Sequence, residues 1–207
     1  MPSIVHRAAI VLTMIGAVSY QTAGVAPALG AIDLAATSAS PSVEFVIEAF
    51  PHRTADVYFV DSWGARRSGG RRHRGTDIHS PKGTAIVAVA DGLVIHRDWN
   101  RLSGWNIKIQ HRDGWISAYV HLNNDTLGTD DGDGGPERAF AAGLDVGDFV
   151  MAGQVIGSVG DSGNAEHTVA HTHFELRFGE EKVNPHPYLV AAWERQLSVF
   201  AKGTALD

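Results

Sequence analysis

His171-Thr172-His173-Phe174-Glu175-Leu176-Arg177-Phe178 is the stretch that decides the fold class. Side chains alternate across an extended strand. His171, His173, Glu175 and Arg177 therefore share one face, and Thr172, Phe174, Leu176 and Phe178 the other. This is a strand with an apolar backing and a polar front that carries histidine. Toward the N-terminus, Ile116–Leu122 (ISAYVHL) repeats the pattern, with Ser117, Tyr119 and His121 on one side and Ile116, Ala118, Val120 and Leu122 on the other. Arg112-Asp113-Gly114, between His111 and Trp115, is a hairpin-turn signal. Further candidate strands are Ala85–Val89, Gly92–His96, Asn106–His111, Phe149–Met151 and Val155–Val159, with Val43–Phe50 as a first strand. Many short strands broken by Gly, Asp and Asn predict an all-β sheet or barrel-like domain. Apolar residues at Leu189, Val190, Trp193, Leu197 and Phe200 predict one amphipathic C-terminal helix over Pro187–Lys202.

The composition narrows the function. The 207 residues are 44% hydrophobic and 19% charged, which suits one globular domain with short tails. There is no cysteine, so disulfides, thiolate zinc sites and cysteine nucleophiles are excluded. A net charge of −6 argues against a general nucleic-acid binder and against polybasic adhesion to anionic surfaces. Residues 1–30 read as a signal peptide. Arg7 precedes the apolar run Ala8–Tyr20, and small residues at Ala23-Gly24-Val25-Ala26 and Ala28-Leu29-Gly30 suit cleavage. An uncleaved anchor is the rival, and would be the only membrane contact; Gln21, Thr22, Gly24 and Pro27 make it a poor spanning helix. Residues 31–45, including the Ala36–Ser42 run, read as a linker. The domain then spans 46–190, with helix and tail over 191–207.

The acidic, glycine-rich segment Asn123–Asp148 interrupts the strand pattern and reads as a solvated loop. Its Asp131-x-Asp133 pair is a weak calcium signal without the distal Glu of a calcium loop. Following His121 directly, the loop also suits a role in shaping a cleft.

Two short motifs carry metal-ligand chemistry: His73-x-x-x-Asp77 and His171-x-His173. Zinc takes neutral imidazoles and a carboxylate and keeps a position open for water when catalytic. Gly75, between His73 and Asp77, permits close backbone approach. Tyr119-Val120-His121 lies between the motifs, and Tyr119 is a candidate oxyanion donor on the parity of His121. A lone strand histidine is usually a half-exposed bystander, which is the expectation for His6, His52, His96, His111 and His186. His79 and His167 match no ligand pattern. No H-E-x-x-H is present, so the helix-borne zinc-protease arrangement is absent.

The motifs in order are Arg72-His73-Arg74-Gly75-Thr76-Asp77-Ile78, Pro81-x-Gly83-Thr84, Ala90-Asp91-Gly92, Tyr119-Val120-His121-Leu122, Val146-Gly147-Asp148, Gly153-Gln154-Val155-Ile156-Gly157, Gly160-Asp161-Ser162-Gly163, His171-Thr172-His173-Phe174-Glu175 and Val183-Asn184-Pro185. Together they resemble the lysostaphin-type (LytM-domain) zinc endopeptidases over roughly Ser62–Leu189. The resemblance implies a compact antiparallel β domain with a zinc cleft. It implies His73, Asp77 and His173 as metal ligands and His121 and His171 as catalytic histidines. It also implies zinc as cofactor, peptide bonds of peptidoglycan stem or cross-bridge peptides as substrate, and a secreted, periplasmic or wall-associated location. Non-catalytic domains of this type regulate cell-wall amidases or bind peptidoglycan, but they usually lack some ligands. The sequence departs from the family in having Ala170 where Pro is usual and Thr172 where Leu is usual. Thr172 points away from the metal face, so altered packing is expected there with activity retained.

Overall fold

The computed structural model describes residues 44–203; the expectations for the signal segment, for most of the linker and for His6 lie outside them. The strands are β1 (Thr76–His79), β2 (Ala85–Val87), β3 (Gly92–Asn100), β4 (Gly104–Gln110), β5 (Trp115–Leu122), β6 (Phe149–Val150), β7 (Val155–Ser158), β8 (His171–Phe178) and β9 (Glu181–Val183). A four-residue helix α1 (Pro136–Ala139) sits in the acidic loop, and α2 (His186–Gly203) closes the described chain. No described helix is long and apolar enough to cross a membrane.

The main sheet runs β1-β8-β5-β4-β3-β6, with β9 on the same edge of β8 as β1. All its pairings are antiparallel, and its two end strands do not meet, so the sheet is open and not a closed barrel. β2 and β7 form a second, two-stranded sheet. The expected turn at Arg112-Asp113-Gly114 joins β4 to β5, with Asp113 and Gly114 both at positive φ (59° and 82°). Those values suit the tight hairpin twist.

Residues 44–50 are not a strand. Phe45 and Ile47 alternate into the core as a strand would place them, but Phe50 falls out of that period and the backbone has no ladder. Glu48 and Ala49 instead both donate to Val89 O. The period of two came from burial alone. β1 and β9 are short strands absent from the expected set.

One core backs the sheet. Thr172, Phe174 and Leu176 of β8 are fully buried, as their parity predicts. Ile86 of β2, Ile156 of β7 and Leu189 of α2 join Ile78, Ile107, Ile109, Tyr119, Phe174 and Leu176 in a single apolar cluster. Burial of each such side chain stabilises by about 1.5–3 kcal/mol, so this layer holds the strands in register.

Two histidines expected to be half-exposed are core residues. His111 is buried, bonded to Ser117 Oγ (2.8 Å) and Asp91 O (2.9 Å). His52 is fully buried, bonded to Thr172 Oγ1 (2.9 Å) and Ser80 Oγ (2.8 Å). The Thr172 hydroxyl thus has a partner that a leucine could not offer, and this pair accounts for the departure at that position. Burial, followed by the nearby His171 and His79, pushes the His52 imidazole down to about 3.

The folded chain therefore holds His52 neutral, while an unfolded histidine titrates near 6.5. Between these values the unfolded state binds about one more proton, so stability falls as pH drops from 6.5 toward 3. In denaturant titrations near pH 5, ΔG of unfolding should change about 1.4 kcal/mol per pH unit more steeply in wild type than in His52→Gln. Equal slopes would show that His52 titrates alike in both states.

Candidate functional site

The cleft is built on one register. β1 pairs with β8 so that Asp77 lies opposite His173 and His79 opposite His171. Directly opposed residues present side chains to the same face. β8 pairs with β5 on its other edge, placing Val120 opposite His173. His73 precedes β1, buried, with its N–H donated to Ala65 O (2.8 Å). Gly75 is required between them. A Cβ there would lie 2.5 Å from Phe174 O and 2.7 Å from the His173 imidazole, so only glycine lets the ring in.

Three atoms converge. His73 Nε2 lies 3.0 Å from Asp77 Oδ1 and 2.9 Å from His173 Nδ1, and Asp77 Oδ1 lies 2.9 Å from His173 Nδ1. The far nitrogen of each ring is held separately. His73 Nδ1 donates to Ser62 O (3.1 Å) beside Ser62 Oγ (2.9 Å). His173 Nε2 donates to Glu175 Oε1 (3.4 Å). With those protons placed outward, both inner nitrogens present lone pairs toward the Asp77 oxygen. Three acceptors so close are stable only around a shared proton or cation. Ligands on a tetrahedral zinc at about 2.0–2.1 Å lie about 3.3 Å apart, so the triangle fits such an ion with small relaxation. The outward bonds are the kind that orient metal-binding imidazoles.

Burial opposes ionisation of Asp77, but when the shared proton sits on an inner nitrogen the hydrogen bonds from His173 and His73 outweigh it and hold the carboxyl far below its usual range. Its other oxygen accepts Arg67 Nη2 at 2.5 Å. Glu175 is likewise kept ionised: burial opposes this, and His173, Lys182 (2.6 Å) and Arg177 (2.8 Å) overcome it.

His121 reaches this cleft by a route that strand parity does not predict. Ser117 and Tyr119 lie opposite Leu176 and Phe174, on the core face. Continued alternation would send His121 there too. Instead β5 gains one residue against β4: Trp105 pairs with Leu122 but Ile107 pairs with Tyr119. His121 sits in this bulge with φ at 64°. The bulge turns its ring to the site, 5.2 Å from His171 and 6.2 Å from His173 between ring centroids. Its N–H donates to Ser103 O (3.0 Å) and its Nδ1–H to Ser162 O (2.8 Å). Ser162 is itself wired by donating to Leu122 O (2.6 Å) and accepting from Trp105 N–H (3.0 Å). The Gly160–Gly163 motif thus holds the His121 imidazole.

Tyr119 is not part of this site. It is fully buried against Phe174, and its hydroxyl accepts Val89 N–H (2.9 Å) and the Ser117 hydroxyl (3.2 Å). The parity argument for an oxyanion donor fails because the bulge lies between Tyr119 and His121.

His171 donates from Nδ1 to Val169 O (2.8 Å). Both His121 and His171 therefore tie Nδ1 to a carbonyl and leave Nε2 as the acceptor nitrogen. Burial first, then the neighbouring His171, pushes His121 down to about 4; burial also lowers His171. Both rings are neutral at neutral pH and able to take a proton. His79, expected as a bystander, shares the face of His171, their centroids 5.1 Å apart. Arg67, Ser62 and Glu175 also escaped the sequence reading. Only Glu175, on the parity of His173, could have been found there.

The acidic loop is ordered by a lysine. Lys82 Nζ lies 2.7 Å from Asp125, 2.5 Å from Asp130 and 2.9 Å from Asp161. Asp131 is taken up by Thr126 and by Asp133 N–H, so the Asp131-x-Asp133 pair builds a turn. Asp125, Asp130 and Glu166 approach closely enough to hold an ion, but the Lys82 ammonium already pairs with Asp125 and Asp130, and Glu166 accepts from Asn124 Nδ2 (3.0 Å). Beside the loop, Trp99, Arg101, Trp105, Asn124, Gly163 and Glu166 line a depression of about 470 Å³.

Residues 71–133 match Peptidase family M23. The L-Ala–D-Glu endopeptidase of Bacillus subtilis is 36% identical over 156 residues, covering 70% of this chain and 43% of that protein. Murein hydrolase activator NlpD of Salmonella dublin is 32% identical over 166 residues, covering 79% and 37%. The catalytic domain of lysostaphin from Staphylococcus simulans aligns with a TM-score of 0.51 at 26% identity, over 64% of this chain and 91% of that one. A catalytic-domain variant of the M23 protein EnpA from Enterococcus faecalis aligns with a TM-score of 0.50 at 31% identity, over 67% and 95%. The chain belongs to peptidase family M23, and its antiparallel sheet with a short C-terminal helix is the lysostaphin-type fold. It spans less than half the length of the curated relatives it matches, which include both endopeptidases and activators.

The bulge yields a stability test. A left-handed backbone costs an L-residue about 1–2 kcal/mol, and Asn tolerates it better than most. His121→Asn should unfold within about 1 kcal/mol of wild type, while β-branched His121→Val should lose about 2 kcal/mol or more. Chemical denaturation measures both; equal losses would remove the backbone from the explanation.

Proposed function

We propose that this chain is a zinc-dependent endopeptidase hydrolysing peptide bonds in peptidoglycan stem or cross-bridge peptides, acting outside the cytoplasmic membrane. The observation that carries this reading is the convergence of His73 Nε2, Asp77 Oδ1 and His173 Nδ1 within 3.0 Å of one another, with two further neutral imidazoles beside them. His73, Asp77 and His173 would hold the metal. Bound zinc supplies a Lewis acid and lowers the pKa of water to about 7. The remaining work falls to the protein. His121 and His171, each fixed through Nδ1, offer Nε2 for proton transfer. One takes a proton from the attacking water at Nε2, and the other, once it carries a proton at Nε2, donates a hydrogen bond to the tetrahedral oxyanion. Arg67 and the outward partners Ser62 and Glu175 orient the ligand groups.

A second reading is a LytM-type regulator that binds a cell-wall amidase or peptidoglycan; the likeness to NlpD favours it. The complete ligand set with both additional histidines supports the enzyme reading over it.

Elemental analysis of the reconstituted protein should find about one zinc per chain, and His173→Ala or Asp77→Ala should lower occupancy strongly. Absence of zinc from reconstituted wild type would sink the enzyme reading.

His121→Ala separates catalysis from binding. It should retain zinc and fold but lose roughly 10²-fold or more in turnover of defined muropeptides, scored by mass spectrometry. Near wild-type turnover would remove His121 from the chemistry, and loss of zinc would make it a ligand.

A further inference from the structure

The segment Arg66-Arg67-Ser68-Gly69-Gly70-Arg71-Arg72-His73-Arg74 holds five of the chain's thirteen arginines and no acid, in a protein of net charge −6. It folds as a finger over the metal triangle. His73 anchors its base through Gly64 N–H donated to His73 O (2.9 Å) and His73 N–H donated to Ala65 O (2.8 Å). Arg66 pairs with Arg72, and Arg67 N–H donates to Arg71 O (2.9 Å). The tip turns through Gly69 and Gly70, both at positive φ (70° and 73°).

This bonding pattern makes Arg66 and Arg72 an antiparallel pair of the non-hydrogen-bonded kind, in which opposed side chains stand closest. Like charges so placed are destabilising. Among the described residues, Arg71, Arg72 and Arg74 meet neutral groups. Arg72 donates to Gly64 O (3.1 Å). Arg71 donates to Ser68 O (3.2 Å) and Ser68 Oγ (3.4 Å). Arg74 lies 5.4 Å over the Trp63 ring. Arg67 alone meets a carboxylate, that of Asp77. All five side chains are exposed. Arg67 and Arg71 alternate with Arg66 and Arg72, so the Arg67–Arg71 face is the one turned toward Asp77.

From this placement we infer that the arginine finger is a specificity element that selects acidic peptides, pairing a free carboxylate beside the metal triangle with Arg71 and one farther along the peptide with Arg66 and Arg72 on the opposite face of the finger. The guanidinium fork matches a carboxylate in two parallel hydrogen bonds. A bound carboxylate would relieve the repulsion between Arg66 and Arg72. Arg67, already engaged with Asp77, acts as a positioning residue joining the finger to the metal triangle. The inference rests on the endopeptidase reading for its substrate class.

The test uses two synthetic stem peptides of equal sequence, one with free side-chain and α-carboxylates and one with the same groups as carboxamides. Zinc-loaded full chain should prefer the acidic peptide in kcat/KM, chiefly through KM, and the preference should shrink as salt rises. Arg66→Gln/Arg72→Gln and Arg71→Gln should each reduce that preference roughly five- to tenfold, through a loss in kcat/KM that is larger for the acidic peptide than for the amidated one. The double variant should unfold no earlier than wild type, because it removes a like-charge pair. Fluorescence anisotropy with labelled peptides on the non-turning-over His121→Ala chain gives a second readout independent of cleavage. Equal affinity of that chain for both peptides, or an undiminished preference in the arginine variants, would overturn the inference. A carboxylate preference in binding without cleavage by wild type would uphold the finger and count against the endopeptidase reading.

Discussion

Antiparallel pairing between Thr76–His79 and His171–Phe178 sets Asp77 opposite His173, and the remainder of the cleft hangs on that register. A slip of one residue would send His171 and His173 into the core and Thr172 and Phe174 outward. The apolar face prevents it: Ile78, Phe174 and Leu176 are fully buried, and exposing any one costs about as much as several surface contacts return. Specificity of the polar face is thus purchased by the greasy one. Gly75 completes the constraint, because any side chain there would collide with Phe174 O and the His173 ring.

On that base, each functional group is held from behind. Ser62 and Glu175 fix the outer nitrogens of His73 and His173, and Val169 O and Ser162 O fix those of His171 and His121. The inner nitrogens of His73 and His173 thereby meet Asp77 Oδ1 with no separate donor among the described residues, and the rings of His121 and His171 stand beside them. Such an arrangement is costly in an apolar interior and is tolerated where a ligand or reacting group completes it. The left-handed backbone at His121 belongs to the same economy of strain, since it recurs at bulges that redirect a side chain toward a site.

Charge is distributed with similar purpose. Lys82 gathers Asp125, Asp130 and Asp161 and orders the acidic loop, so that loop contributes shape with much of its charge neutralised. The arginine finger carries the opposite sign to the chain as a whole and reaches the metal triangle through Arg67 and Asp77. A cleft rimmed by cations over an otherwise acidic surface favours anionic ligands at short range, within about a Debye length of 8–10 Å.

The grouping of His73, Asp77 and His173 was implied by the family resemblance, whereas the strand identities of Trp115–Leu122 and His171–Phe178, the Asp113-Gly114 turn and the C-terminal helix were legible in the sequence itself. Each depends on local periodicity, turn chemistry or motif order, which neighbouring residues carry themselves. Tertiary structure decided the rest. Residues 44–48 alternate like a strand yet find no partner edge, and His52 is buried against Thr172, 120 positions away in the chain. Tyr119 and His121 share a parity in sequence but face opposite sides, because the bulge is defined only by pairing with β4. Arg67 meets Asp77 only once the finger folds back on His73. Local order follows from residues a few positions apart, whereas register, bulges and ion pairs between distant segments exist only after those segments pack together.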